Sequence, residues 1–183
     1  MTNEELALPE KKQPRSRRFL IMFIIAAMII TFDQWTKWWV IQNIPLNTAW
    51  LPDALDWLSP YARLLHIKNT GASFGMFQNA NFIFIPLTAL IVGGILYYVS
   101  TLEQNNDWMW VAGGLYLGGA VGNLIDRLTI GAVTDFVSVG SFYIFNVADA
   151  SINISVALLI LLWILEHRSS QSVSPAEPEE PHE

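Results

Sequence analysis

Cysteine is absent from the 183 residues, which removes disulfide staples, thiolate metal sites and a thiol nucleophile together. Charge is scarce as well. Asp, Glu, Lys and Arg make up 14% of the chain, against roughly a quarter in a soluble domain, while hydrophobic residues reach 52%. That balance does not describe a soluble globular domain. Histidine occurs three times, never as H-E-x-x-H, so a zinc peptidase of that type is excluded. The formal net charge of −6 belongs largely to one tail, because Glu177, Glu179, Glu180 and Glu183 lie in residues 169–183, where no Lys or Arg occurs. The rest is close to balanced, and no nucleic-acid partner is implied.

What is abundant is apolar sequence in long runs. Residues 19–41, 80–102, 108–125 and 144–165 are each long enough to span a bilayer, which takes about 20 mostly apolar residues. The first follows a basic segment, but it is too long for a cleaved signal peptide and lacks a small-residue cleavage site, so it reads as an uncleaved anchor. Lys11, Lys12, Arg15, Arg17 and Arg18 precede it, and Arg168 follows the fourth run. The positive-inside rule puts both termini in the cytoplasm, as an even number of spans requires. Residues 42–80 and 127–143 then fall on the outer side, and 103–107 is a short inner connector. Trp38, Trp39, Trp50, Trp57, Trp108, Trp110 and Tyr143 sit near the span ends as an aromatic belt. The expectation is an all-α membrane protein, a four-transmembrane-helix bundle. The segment up to about Pro14 and the Ser/Pro/Glu-rich tail from Ser169 are expected to be disordered. No internal repeat is evident.

The outer segments are too apolar for linkers. Residues 52–58 (PDALDWL) suit a short helix on the membrane surface. Residues 61–68 and 132–145 read as strands of a small sheet, with Val133, Asp135, Val137 and Val139 on one face.

Ionisable groups inside a membrane are costly and usually functional. Asp33 and Lys37 stand i,i+4 on one helix face, and Asp33 lies roughly 22 Å beyond Arg18, in the outer half of a ~30 Å core. Asn123, Asp126 and Arg127 end the third span, Asp135 follows, and Asn146 and Asp149 open the fourth. All fall at one depth. Asp33–Lys37 and Asp126–Arg127 are as readily ion pairs holding a bundle together as functional groups. Asp135 and Asp149 exceed the nearby cations, which favours chemistry. The pairs Gly114/Gly118 and Gly118/Gly122 permit close helix packing. Gly71-Ala72-Ser73-Phe74-Gly75 matches G-x-S-x-G, but no α/β sheet carries it. His167 and His182 fall on the inner side and His66 precedes the serine. A carboxylate pair remains, in which one member holds a proton while the other acts as base and activates water against an amide. A proton relay or transporter built on Asp33, Lys37, Asp135 and Asp149 is the rival, and it requires ionisable groups through the full depth.

These residues resemble a known family, the bacterial lipoprotein signal peptidases (signal peptidase II, aspartyl intramembrane proteases). The resemblance spans about residues 19–166. It rests on Asp33-Gln34-x-x-Lys37, on Asn69-Thr70-Gly71-Ala72-Ser73-Phe74, and on Gly118-Gly119-Ala120-x-Gly122-Asn123-Leu124-Ile125-Asp126-Arg127. It continues through Gly131-x-Val133-x-Asp135-Phe136 and Phe145-Asn146-x-Ala148-Asp149-x-Ser151. No motif position departs from the family pattern; only the acidic tail is idiosyncratic. The resemblance implies Asp135 and Asp149 as catalytic aspartates, supported by Asp33, Lys37, Asn69, Asn123, Arg127 and Asn146, with Gly119 and Ala148 allowing close approach. It implies no cofactor and no metal, and a four-helix bundle with a small periplasmic β-sheet and a surface helix in the bacterial inner membrane. The implied organisation is a cytoplasmic segment 1–18, a peptidase domain 19–166 with its active site on the periplasmic side, and a disordered tail 167–183. The substrates it implies are diacylglyceryl-modified prolipoproteins, cut before the lipidated cysteine, with membrane lipids as the other partners and the enzyme a monomer. Asn69 and the strand-like segments would hold the substrate extended, and Arg127 would organise the dyad or bind a substrate carbonyl.

Overall fold

The computed structural model describes residues 14–71, 77–101 and 106–171. Four helices dominate: α1 (Arg15–Asn43), α2 (Asn81–Thr101), α3 (Asp107–Thr129) and α4 (Val147–Gln171). Three strands, β1 (Ala49–Trp50), β2 (Ala62–Asn69) and β3 (Val133–Val139), form an antiparallel sheet in the order β1-β2-β3. A 3-10 helix at Asp53–Leu58 stands where the surface helix was expected, with Trp57 69% exposed.

Large apolar side chains point outward along the helices, Leu90 and Tyr97 each 73% exposed, as they do when lipid is the solvent. By length and composition α1, α2 and α4 can cross a membrane. The other helix, α3, is less apolar for a physical reason: it lies among its neighbours and buries Gly113, Gly114, Gly118, Gly119, Gly122 and Asn123. An ideal Cβ on Gly114 would sit 2.7 Å from the Met22 carbonyl oxygen, and one on Gly118 2.7 Å from Ile29 Cβ. Glycine is what lets α1 and α3 approach this closely.

Contacts along the bundle fix helix direction. Arg18 Nε donates to Asp107 Oδ1 at 2.8 Å, so α1 and α3 start at the same end. Ser155 Oγ donates to the Ala112 carbonyl at 2.7 Å and Ser151 Oγ to that of Leu115 at 3.2 Å, so α4 runs antiparallel to α3. Met22, Ala26, Val99, Trp110 and Leu117 form one core cluster, and Val40, Ile44 and Phe136 form a second beside the sheet.

The sheet sits at the end where α1 and α3 finish. Ile130 caps α3, its N–H donating to the Asp126 carbonyl at 2.8 Å, and Gly131 follows at φ +76°. That left-handed residue suits glycine and turns the chain from α3 into β3. The strand expected over 132–145 stops at Val139. Gly140 (φ +53°) turns the chain back, and Phe145 returns to bridge Val137. Residues Val133 to Phe136 are all buried rather than alternating, because α1 and α3 pack on β3 in addition to its pairing with β2. Two other expectations shift. The two-residue β1 was not anticipated, and α4 continues through Gln171, so residues 167–171 of the tail expected to be disordered are helical. The N-terminal segment before Pro14 and the tail after Gln171 lie outside the described residues.

The glycine contact generates a paired test. Gly118→Ala should lower stability by about 1–3 kcal/mol through overpacking, whereas Gly93→Ala, with nothing within 4 Å of its ideal Cβ, should be neutral or mildly stabilising. Thermal unfolding of the two variants in one detergent decides it; equal melting temperatures would show that the α1–α3 contact is slack.

Candidate active site

Lys37 is the centre of the polar cluster. Its ammonium, on a residue only 2% exposed, lies 2.8 Å from Asp33 Oδ2, 3.2 Å from Asp126 Oδ2 and 3.0 Å from Asn123 Oδ1. An ammonium has three protons, and each has an acceptor. The sequence reading of two separate pairs is corrected here: Lys37 serves both Asp33 and Asp126, because the turn at the end of α3 brings Asp126 over α1. Arg127 is left without an ion pair to Asp126. Its Nη2 donates to the Gly71 carbonyl at 3.3 Å and its guanidinium stacks 5.1 Å from the Phe84 ring centroid.

The carboxylate of Asp33, fully buried, ties α1 to the start of α4: the Ala148 N–H donates to its Oδ1 at 2.9 Å. That N–H is one of the orphans at a helix N-terminus. Gly119 and Gly122 on α3 make room for this arrangement. A Cβ on Gly119 would strike the Ala148 carbonyl, and one on Gly122 would lie 2.7 Å from Asp33 Oδ2.

Asn146 and Asp149 form a reciprocal cap at the same helix start. The Asp149 N–H donates to Asn146 Oδ1 at 2.9 Å, and the Asn146 N–H donates to Asp149 Oδ2 at 3.3 Å. This is the capping-box geometry. With its oxygen engaged there, the Asn146 amide turns its Nδ2 toward Asp135 Oδ1, at 2.7 Å. Asn146 therefore joins the two candidate aspartates. Asn69 Nδ2 donates to the other oxygen of Asp135 at 2.9 Å, and Asn123 Nδ2 donates to Asp149 Oδ1 at 2.7 Å. Among the described residues every hydrogen-bond partner of either carboxylate is a donor. A proton held by the pair must therefore point at the other aspartate or at open space. Burial, and then the negative charge of Asp149, push the Asp135 carboxyl up to about 7 against the pull of Asn69 and Asn146.

Asp135 opens onto a cleft of about 310 Å³ bounded by Ile67, Asn69, Gln78, Phe142, Tyr143 and Ile144. Tyr143 is held there by Asn153, whose Nδ2 donates to its hydroxyl at 2.9 Å. The cleft is polar where β2 and β3 meet and aromatic on the opposite side.

Of the residues singled out from sequence, Asp33, Lys37, Asn69, Asn123, Asp135, Asn146, Ala148 and Asp149 converge, with Gly119 against Ala148. Arg127 stands beside them without touching either aspartate. Two further participants, Gln34 and Thr134, were passed over, and Asp126 was weighed only beside Arg127. Gln34 Nε2 reaches Asp126 Oδ1 at 3.0 Å and the Gly122 carbonyl at 3.1 Å. Asp126 Oδ2 also accepts the Thr134 N–H at 2.9 Å. The Thr134 carbonyl accepts from Asn146 Nδ2 at 3.4 Å. Gln34 and Asp126 lay inside the quoted motifs and so had a signal; Thr134 had none. Ser73 of the G-x-S-x-G stretch lies outside the described residues, and His66 is buried with Nδ1 2.7 Å from the Ile44 carbonyl. Between Arg18–Asp107 and the level of Asp33, the described helices carry no Asp, Glu, Lys, Arg or His, so a relay through the full depth has no stations there.

Residues 25–165 match the family described as signal peptidase (SPase) II. A lipoprotein signal peptidase of Shouchella clausii is 37% identical over 150 residues, covering 81% of this chain and 96% of the relative. One from Symbiobacterium thermophilum is 37% identical over 153 residues, covering 81% and 97%. Among solved structures, a bacterial membrane enzyme determined by the in meso method at 2.3 Å resolution superposes with a TM-score of 0.75 at 28% identity, covering 85% of this chain and 94% of that one.

Two outcomes follow from the electrostatics. Lys37→Met leaves buried carboxylates without their cation, at a cost of about 3–5 kcal/mol by analogy with soluble cores. Adding Asp33→Asn should recover much of the loss, and equal melting temperatures for the single and double variants would show that the pair is uncoupled. For Asp135 the raised pKa means that the fold favours its neutral form. That contribution is complete below the ordinary carboxylate range and is lost as pH rises through about 7. Between pH 5 and pH 8 the wild-type melting temperature should fall more than that of Asp135→Asn; parallel curves would contradict it.

Proposed function

Because the chain belongs to the signal peptidase II family, we propose that it is an aspartyl endopeptidase that removes the signal peptide from diacylglyceryl-modified prolipoproteins, cutting immediately before the lipidated cysteine. The observation that carries the chemistry is the shared amide of Asn146, which binds Asp135 through its side chain and Asp149 through its backbone. Two carboxyls bridged in this way, with Asp135 at the edge of a cleft, form an acid–base pair.

In this reading the pair shares one proton, with Asp135, whose carboxyl is pushed up to about 7, as the acid and Asp149 as the base. Asp149 takes a proton from water as the water oxygen bonds to the scissile carbonyl carbon, and Asp135 donates to the carbonyl oxygen. When the carbon–nitrogen bond breaks, the proton on Asp149 passes to the leaving amine and Asp135 recovers its own from the collapsing intermediate. The cleft beside Asn69 takes the extended peptide, and its aromatic wall of Phe142 and Tyr143 faces apolar side chains. Arg127, which holds the Gly71 carbonyl, orders the approach after β2 rather than the dyad.

We place the enzyme in the bacterial inner membrane as a monomer, with α3 as the fourth span, the sheet and cleft periplasmic and both termini cytoplasmic. The peptidase domain is 19–166, flanked by the segment 1–18 and the tail 167–183. Alternating helix direction and the basic residues before α1 support that orientation. Membrane lipids hold the substrate's two acyl chains beside the cleft, and neither a metal nor a cofactor enters the scheme.

The test uses purified full-length chain in detergent micelles. A diacylglyceryl-cysteine precursor should lose its signal peptide, and its unlipidated form should be cut little, since each buried methylene adds about 0.8 kcal/mol of anchoring. Asp135→Asn and Asp149→Asn should each lower the rate by roughly 10²–10⁴-fold while inserting normally. Substantial activity in either variant removes the aspartyl mechanism, and equal rates on the two precursors remove lipid recognition.

A further inference from the structure

Lys37 touches no part of the cleft, yet it stands one residue away from the base of the proposed reaction. Its ammonium lies 3.0 Å from Asn123 Oδ1, and the same amide presents Nδ2 to Asp149 Oδ1 at 2.7 Å. Only an oxygen can face an ammonium at that distance, so the cation decides which way the amide points. Asn146 Nδ2, 3.2 Å from the same oxygen, adds a second donor on that side. A reversed amide would set NH₂ against both.

Resting on the peptidase reading above, this orientation bears on the one moment when Asp149 carries a proton. A carboxamide free to turn would then offer its oxygen to the new acid and hold the proton in a hydrogen bond, away from the leaving amine. We propose that Lys37 is a positioning residue that locks Asn123 in a single amide orientation, so that Asp149 meets a donor in both protonation states and releases its proton to product. The helix start does the same for Asn146, whose Oδ1 is occupied by the Asp149 N–H. No bond beyond those of the hydrolysis is made or broken.

A merely structural lysine would be replaceable by any change that keeps the bundle intact. The cluster of Asp33, Asp126 and Lys37 carries a formal charge of −1, and the double variant Asp33→Asn/Lys37→Met carries the same. That variant should fold, keep its KM for the lipidated precursor within about twofold, and lose kcat by roughly tenfold to a hundredfold, the worth of one hydrogen bond to a charged group. In an Asn123→Ala background, where no amide remains to orient, the same pair of changes should lower kcat no further. A folded double variant with wild-type kcat overturns the proposal, and so does an undiminished fall in the Asn123→Ala background. Where the Asn123→Ala chain does not fold, kcat of the double variant decides alone. Failure of the wild-type chain to cut the lipidated precursor brings down the peptidase reading instead, so the two failures are told apart.

Discussion

The buried ammonium of Lys37 is the constraint around which the sheet end of the molecule is arranged. An ion taken out of water loses several kcal/mol of solvation and regains it only with complete, well-placed partners. Three oxygens meet it, one from its own helix and two from α3. They can do so only if α1 and α3 lie almost backbone to backbone, and Gly114, Gly118 and Gly122 make that approach possible. Asp33, once fixed by the lysine, holds the Ala148 N–H and so sets where α4 begins. Three helices are thus registered by one side chain.

A second regularity lies in the asparagines. Asn69, Asn123 and Asn146 each direct an NH₂ at an aspartate, and their oxygens are held elsewhere: by the Gly71 N–H at 3.0 Å for Asn69, by Lys37 for Asn123 and by the Asp149 N–H for Asn146. A carboxamide is neutral and ambidextrous, so it contributes a donor to a carboxylate without placing another charge among buried groups. Arginine or lysine in those places would draw the aspartates into permanent ion pairs. Asparagine leaves them without a permanent counter-charge.

Much of this was legible in the sequence, and the parts that were not share a cause. Runs of apolar residues located α2 almost to the residue, because lipid-facing surface and helix length are local properties. The strands at 61–68 and 132–145 were visible through alternation, although Gly140 cut the second short. The two residues of β1 had no period to read. The helix α3 looked like the other spans in sequence, while its many glycines concealed that its surroundings are protein. Ion-pair partners were hardest: Asp126 sits beside Arg127 in the chain but meets Lys37 in space, because it lies on the face of α3 that Gly118 and Gly122 pack against α1. Asn123 and Asn146 stood out as polar residues at the ends of apolar runs, whereas Asn69 was recovered only by motif resemblance.

The reciprocal cap at the start of α4 has a dynamic consequence. Helix ends ordinarily fray, opening and closing far more often than the body of the helix. Here the bonds that stop the first turn from unwinding are made by Asn146 and Asp149, the same groups that align the two carboxyls. An excursion that loosens that turn therefore also loosens the link between Asp135 and Asp149, and re-forming the turn restores both. On the peptidase reading proposed above, winding of the first turn of α4 and alignment of Asp135 with Asp149 are coupled through the same hydrogen bonds.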